Sequence, residues 1–368
     1  MSKWFELRGK INSSQMWILT LLGFCITVAV WWVLAEAFSE TRPVVDQDPA
    51  FDQIELQSLT PAQRDSLARA DSLQLAKATK FVKVYPIVPR PDKVLLAFQD
   101  LFTKDKLVNN VAKSLWLNVQ GYFWAILISL PLGFLLGLFP LFRSLFSRQV
   151  DALRYLPLSA LTGLFIIWFG LGDPMKIAFL AVGIIVYLIP VVVQRIWDVE
   201  EVYVQTAYTM GASKWQMIKN VFLPGVFSRL MDDIRVLTAI SWTYIIIAEL
   251  LNKETGIGSL IYTKARQGQL DRVFALLLVI IGIGLIQDKI FALMDKIINP
   301  HKYYKSVGPG LQEGKIGVLA MILAIVLGIL CQYILNISML CTVGWIVFAA
   351  GLIAMIYAYF MLEKNRAS

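Results

Sequence analysis

The chain has 368 residues, of which 57% are hydrophobic and 16% charged, and its mean hydropathy is +0.64. Soluble domains carry about 25% charged residues, so this composition excludes a water-soluble globular fold and points to lipid as the solvent. The formal charge of +8 would suit nucleic acid or an anionic membrane surface, and its placement in short loops between apolar runs selects the membrane and leaves no nucleic acid partner.

Runs of about 20 apolar residues cross a bilayer as helices because lipid offers the backbone no hydrogen-bond partners. Eight are predicted in chain order, at 17–38, 115–139, 155–171, 177–193, 236–251, 273–294, 316–335 and 338–361, the third of them short. The first ends in Ala35-x-Ala37, which resembles a signal-peptidase site, but its apolar run exceeds a signal h-region and is read as an anchor. Residues 39–95 are different material, with eight acidic and eight basic side chains, and form an extramembrane insert. Within it Thr60-Pro61 reads as an N-cap and first helical residue, and Leu67, Ala70 and Leu73 suggest a weakly amphipathic helix.

Positive residues in short loops stay in the cytoplasm. With an inside N-terminus the inner segments hold 17 basic residues and the short outer loops 5, so both termini are predicted to be cytoplasmic and residues 39–95 periplasmic. The predicted organisation is then a tail and first span (1–38), the insert (39–95), a core (96–305) with a cytoplasmic loop at 194–235, and a C-terminal membrane hairpin (306–368).

Residues for chemistry are scarce. A single histidine, His301, sits beside Pro300, and Cys25, Cys331 and Cys341 all lie in apolar runs. This leaves neither a disulfide framework nor metal-ligand spacing nor a His-based catalytic pair. Gly314-Lys315 superficially suggests a phosphate loop, but Pro309 stands where its first glycine belongs and Ile316 where Ser or Thr would hold magnesium. No cofactor and no catalysis are predicted. Gly133-x-x-x-Gly137 in the second span allows close helix approach, and Pro131 and Pro190 allow bends.

The most informative stretch is 201–224, polar and helical between two spans, containing Gln205-Thr206-Ala207, Gly211-Ala-Ser-x-Trp215 and Val221-x-Leu223-Pro224. It resembles the cytoplasmic loop of ABC importer permeases, the binding-protein-dependent transport system inner membrane components, whose pattern is Glu-Ala-Ala, three residues, Gly, nine residues, Ile-x-Leu-Pro. Gln205 in place of Glu is the departure. The nitrate, sulfonate and taurine type is further matched by Pro91-x-x-Val94, Leu107, Ser114, Gly121, Asp151-x-x-Arg154-Tyr-Leu-Pro157 and Trp168-Phe-Gly-Leu-Gly172. Trp242 with Glu249-Leu, Gly256-Ile-Gly258 and Asp271-x-Val273 continue it, so that the resemblance covers roughly 85–300.

The resemblance implies an all-α integral membrane protein with a type I ABC importer permease core. It also implies that Gln205, Thr206, Ala207, Met210, Gly211, Ala212, Ser213, Trp215, Leu223 and Pro224 form the coupling element that seats on separate ABC ATPase subunits. The helix carrying Ser241, Trp242, Tyr244 and Glu249 would line the translocation pathway. Two copies, read as a homodimer in membrane lipid, would receive solute from a periplasmic or lipid-anchored substrate-binding protein. The solute class stays open among nitrate, sulfonates, taurine and related compounds. A secondary transporter would instead show inverted repeats or mid-membrane ionisable relays, and a scaffold built on the insert would leave 201–224 without a task.

Overall fold

The structure, a computed structural model, describes residues 12–43, 81–252, 254–303, 310–335 and 338–367. The helix expected around Thr60, Pro61, Leu67, Ala70 and Leu73 lies outside the described residues. Two compact units are formed, Met1–Lys104 with Lys264–Leu276, and Asp105–Thr263 with Leu277–Ser368. Among the described residues seven helices are long and apolar enough to cross a membrane, and a bent pair brings the number to as many as eight.

In the first unit, α1 (Ser13–Ala37) is followed by β1 (Glu40–Pro43), which pairs antiparallel with β2 (Phe81–Val84) in the register Glu40 to Val84 and Pro43 to Phe81. The two ends of the insert therefore leave side by side. Lys83 is ion-paired to Glu36, whose other oxygen accepts from the Tyr85 hydroxyl at 3.2 Å. Helix α2 (Pro91–Thr103) starts with proline at its first position, where a missing N–H costs nothing. Arg90 stacks over Trp32 at 4.4 Å, Trp31 donates to the Pro89 carbonyl at 3.0 Å and stacks on Phe274, and Arg272 reaches Asp100 at 2.8 Å. Lys104 and then Arg272 hold the Asp100 carboxyl below its ordinary range.

The second unit is a helical bundle. Its first helices are α3 (Leu107–Leu138), α4 (Pro140–Leu153), α5 (Thr162–Phe169), α6 (Asp173–Trp197), α7 (Glu201–Thr209) and α8 (Lys214–Met217). They are followed by α9 (Leu223–Asn252), α10 (Ile257–Arg266), α11 (Leu270–Ile298), α12 (Leu311–Leu330) and α13 (Ser338–Ala367), α10 and α11 each sharing residues with the first unit. The centre of the bundle is α3 packed on α6 and α6 on α9. Lipid gives no hydrophobic drive to helix pairing, so close van der Waals contact must supply it. It does so at Gly133 and Gly137, where an added Cβ would lie 2.5 Å from Val192 and from Ile196 of α6.

The third crossing differs from the expected 155–171 helix. Leu158–Leu161 is a 3-10 turn leading into α5, and the pair Pro140–Leu153 with Leu158–Phe169 bends by 90°. Pro157 disfavours helix at the residue before it, and Gly170, at φ +72, ends α5. Four 3-10 and eight α residues rise only about 20 Å, less than the roughly 30 Å of hydrocarbon. Phe165 and Phe179, 5.4 Å apart, seat this short segment against α6.

The C-terminal hairpin, α12 with α13, packs against α11 through Ile297, Val318, Met321, Met355 and Ala358. Its far end meets α3, where Gln332 accepts from Trp116 at 2.9 Å and from Gln120 at 3.2 Å. Cys331 there is disulfide-bonded, which corrects the expectation that cysteines in apolar runs offer no disulfide. An apolar run conceals such a bond because thiol and half-cystine are similarly apolar.

Candidate functional site

The segment between α6 and α9 folds as a helix–turn–helix knob whose sequence sets its shape locally. Helix α7 ends with Met210 as its cap and Gly211 at φ +76. The Gly211 amide donates to the Tyr208 carbonyl at 2.9 Å and the Ala212 amide to that of Ala207 at 3.0 Å. This pair of bonds is the Schellman arrangement that glycine at this position permits. The chain then re-enters helix through a capping box. The Gln216 amide donates to Ser213 Oγ at 3.3 Å, and Gln216 Oε1 accepts from the Ser213 amide at 2.8 Å.

Helix α8 passes through a wide π turn at Ile218–Phe222 into α9, making one helix from Lys214 to Leu251. Pro224 explains the π turn, since proline lacks an N–H and its ring crowds the carbonyl four residues back. Gln205, Thr206, Ala207, Met210, Gly211, Ala212, Ser213 and Trp215 are thus brought together in the knob, with Leu223 and Pro224 at its exit. Met210 is 82% and Trp215 70% exposed, beside an exposed Tyr208.

Sequence reasoning missed the charges that hold the knob's two stems. Arg195, at the end of α6, makes a two-pronged bond to Asp233 of α9, 2.7 Å on each prong, and a third at 2.7 Å to Asp198. Arg229 closes the other side on the Asp198 carbonyl at 2.7 Å. Arg235 grips Asp288 of α11 with bonds of 2.8 to 3.0 Å. Lys302 lies 3.5 Å from Asp232 and 3.6 Å from the fully buried Asp295, which also takes the Tyr303 hydroxyl and pushes it up to about 12. Planar guanidinium–carboxylate pairs fix geometry as well as distance, so α6, α9 and α11 are braced together at the knob's end.

The four residues singled out on α9 are held by neighbouring helices. Ser241 is fully buried, accepting from Asn118 of α3 at 3.0 Å and donating to the Thr238 carbonyl. Trp242 donates to Gln287 of α11 at 2.8 Å. Tyr244 is half-buried, edge-on to Phe179 at 6.2 Å. Glu249, fully buried, forms a knot with the start of α10. Its Oε2 accepts from the Gly258 amide at 2.8 Å and its Oε1 from Ser114 Oγ at 2.6 Å. Ser114 Oγ in turn accepts from the Ile257 amide at 2.9 Å, and Asn110 accepts from the Gly256 amide at 2.8 Å.

Three successive amides at a helix start, which no intrahelical carbonyl satisfies, therefore end on side chains of α3 and α9. A Cβ on Gly258 would sit 2.8 Å from the Ile246 carbonyl. Lys176 is also fully buried, its Nζ 3.8 Å from Asp173, which pairs with Lys113 as well.

Comparison with known proteins covers the same region. Residues 129–299, which contain the knob and the stem charges, match the family described as binding-protein-dependent transport system inner membrane component. The taurine transport system permease protein TauC of Escherichia coli is 27% identical over 193 residues, 51% of this chain and 70% of TauC. SsuC of Bacillus subtilis, named for aliphatic sulfonates transport, is 25% identical over 210 residues, 57% of this chain and 76% of SsuC. An inward-facing structure of the MetNI methionine ABC transporter aligns at 22% identity and a TM-score of 0.46, over 52% of this chain and 96% of that one. Residues 129–299, somewhat under half of the chain, are thus similar to the binding-protein-dependent transport system inner membrane components, and the curated relatives that match the chain are named as transport permease proteins.

Proposed function

We propose that this permease, as a homodimer in membrane lipid, forms the pathway through which a small solute of the sulfonate and taurine class enters the cell. A substrate-binding protein outside delivers the solute, and two separate ATPases dock on residues 201–224. One observation carries the reading: a rigid knob presents Met210 and Trp215 to solvent while Arg195 and Asp233 lock its stems to the spans on either side. An ATPase that moves the knob by a few ångströms must also move α6 and α9.

Names of the relatives support the solute class: TauC is named for taurine and SsuC for aliphatic sulfonates. We place Tyr244 nearest the pathway, because it is the least buried of the four residues on α9, with Ser241, Trp242 and Glu249 setting the helix's rotation. Both termini and the knob are cytoplasmic in this reading, and residues 39–95 are periplasmic. The charge asymmetry of the loops supports that orientation, and so does the Cys331 disulfide at the end of the bundle away from the knob, since disulfides persist in oxidising compartments.

The test is ATP hydrolysis by the complex co-purified with its neighbouring ATPase and reconstituted, with and without the candidate binding protein and taurine. The expected result is that wild type binds the ATPase and is stimulated, whereas Gly211→Val, whose β-branched side chain cannot take up the φ of +76, is impaired in binding or stimulation. If no ATPase associates and the mutant behaves like wild type, the importer reading is overturned.

A further inference from the structure

Helix α4 has no buried residue, although half of its circumference is apolar. Phe142, Leu145, Phe146 and Leu153 recur at helical spacing on one side, with Leu141 at its edge. Leu141, Leu145, Phe146 and Leu153 are all exposed in the folded chain, Leu141 by 66%. Opposite them lie Ser144, Ser147 and Asp151, and Arg143 and Arg148 stand along the two borders between the faces. Arg154, just past the helix, pairs with Asp151 at 2.8 Å. An apolar half left uncovered by its own protein, bordered by arginines, has the make-up of a helix that lies in the membrane interface rather than across it.

Placement agrees with composition. The helix bends 90° away from the segment that leads into α5, and Arg143 stacks over Trp197, the last residue of α6, at 4.0 Å. This fixes α4 across the end of the bundle from which the knob emerges. Between its arginines the surface forms a shallow depression lined by Arg143, Ser144, Leu145, Ser147, Arg148 and Gln149, with Leu145 at its apolar margin and Gln149 the one polar residue whose spacing puts it within the apolar half. Guanidinium forks flanked by hydroxyls fit a phosphodiester, and long arginine stems reach head-group level while neighbouring leucines stay among acyl chains.

We propose that α4 is a binding surface for anionic phospholipid, with its Leu145–Phe146 side in the acyl region and Arg143 and Arg148 holding the lipid phosphate on the knob side of the bilayer. The helix thereby sets the depth at which the knob projects, and this holds whatever solute the pathway carries. Charge complementarity favours the lipid. A docked ATPase or a second copy of the chain would have to cover the exposed leucines with protein instead.

The experiment uses the full chain in nanodiscs of phosphatidylcholine with increasing phosphatidylglycerol. Native mass spectrometry counts retained lipids for wild type, for Arg143→Gln/Arg148→Gln and for the control Lys289→Gln/Lys315→Gln. Wild type and control should retain phosphatidylglycerol in preference to phosphatidylcholine, and the arginine double variant should lose that preference by about 10- to 30-fold. Equal retention by all three proteins would overturn the proposal.

A second readout avoids dependence on the variant's folding. A fluorophore on Leu145→Cys, in a Cys25→Ser background, should be quenched by acyl-brominated lipid, and one on Ser147→Cys should not. Quenching at neither position, or loss of the Leu145 signal only on adding the ATPase, would assign the face to a protein partner and overturn the lipid assignment.

Discussion

At residue scale the sharpest consequences come from the knot around Glu249. Its carboxylate is the acceptor for both Ser114 and the Gly258 amide, and burial leaves those donors no water to turn to. Glu249→Ala should therefore destabilise the protein by roughly 1–3 kcal/mol, read as a lower melting temperature in detergent. Glu249→Gln, which keeps one acceptor oxygen, should lose less. Gly258→Ala drives a methyl to 2.8 Å from a carbonyl oxygen that has nowhere to go, and should cost about 1–3 kcal/mol. Gly282→Ala is the informative opposite. It is helical with nothing within 4 Å of the new atom, so it should be neutral or stabilising by up to about 1 kcal/mol. A melting series that ranked the two glycines the other way would mean that the α9–α10 contact is not formed.

Gly211 separates backbone from surface. Nothing lies within 4 Å of an added Cβ, but φ is +76, so the obstacle to substitution is conformational alone. Asparagine visits this region readily and β-branched residues do not. Gly211→Asn should keep ATPase binding close to wild type while Gly211→Val reduces it severalfold, and equal loss in both would show that the surface rather than the turn is what the partner reads.

At the scale of elements, local pattern was legible and distant pairing was not. The knob was readable from Gly211, Leu223 and Pro224 because its turn and exit are set by neighbours within a few residues, and the spans were readable because lipid demands long apolar runs. That the third crossing is short was legible, but its break was not, since hydropathy counts Leu158–Phe169 as apolar without recording the 3-10 turn after Pro157 or the 90° bend before it. Arg195 counts from sequence only as one of the basic loop residues that orient the chain, Asp233, 38 residues away, does not count at all, and nothing in their spacing announces a bond.

That bond makes a prediction of its own. Arg195→Gln and Asp233→Asn should each leave the spans folded but lower the ratio of transport to ATP hydrolysed, by loosening the knob from α6 and α9. Combining them should add little, with a coupling energy of roughly 1–3 kcal/mol in stability. Strict additivity in transport coupling would mean that the two stems move independently.

For the molecule as a whole, orientation is the property on which everything else depends, because ATP is available on only one side of the membrane. The loops' basic residues, the proposed docking role of the knob and the Cys331 disulfide at the other end of the bundle each favour the orientation proposed above, through unrelated physics: insertion energetics, partner docking and redox compartment. Cysteine accessibility decides it directly. In a Cys25→Ser background, Met210→Cys lies on a surface 82% exposed and Thr103→Cys on the exposed side of α2. A membrane-impermeant maleimide applied to intact cells should label the position at 103 and leave that at 210 unmodified until the membrane is opened. In inverted vesicles the pattern should reverse. Labelling at 210 in intact cells would put the knob where no ATPase could reach it, and the coupling role of 201–224 would fall even though the fold and its helix packing stood unchanged.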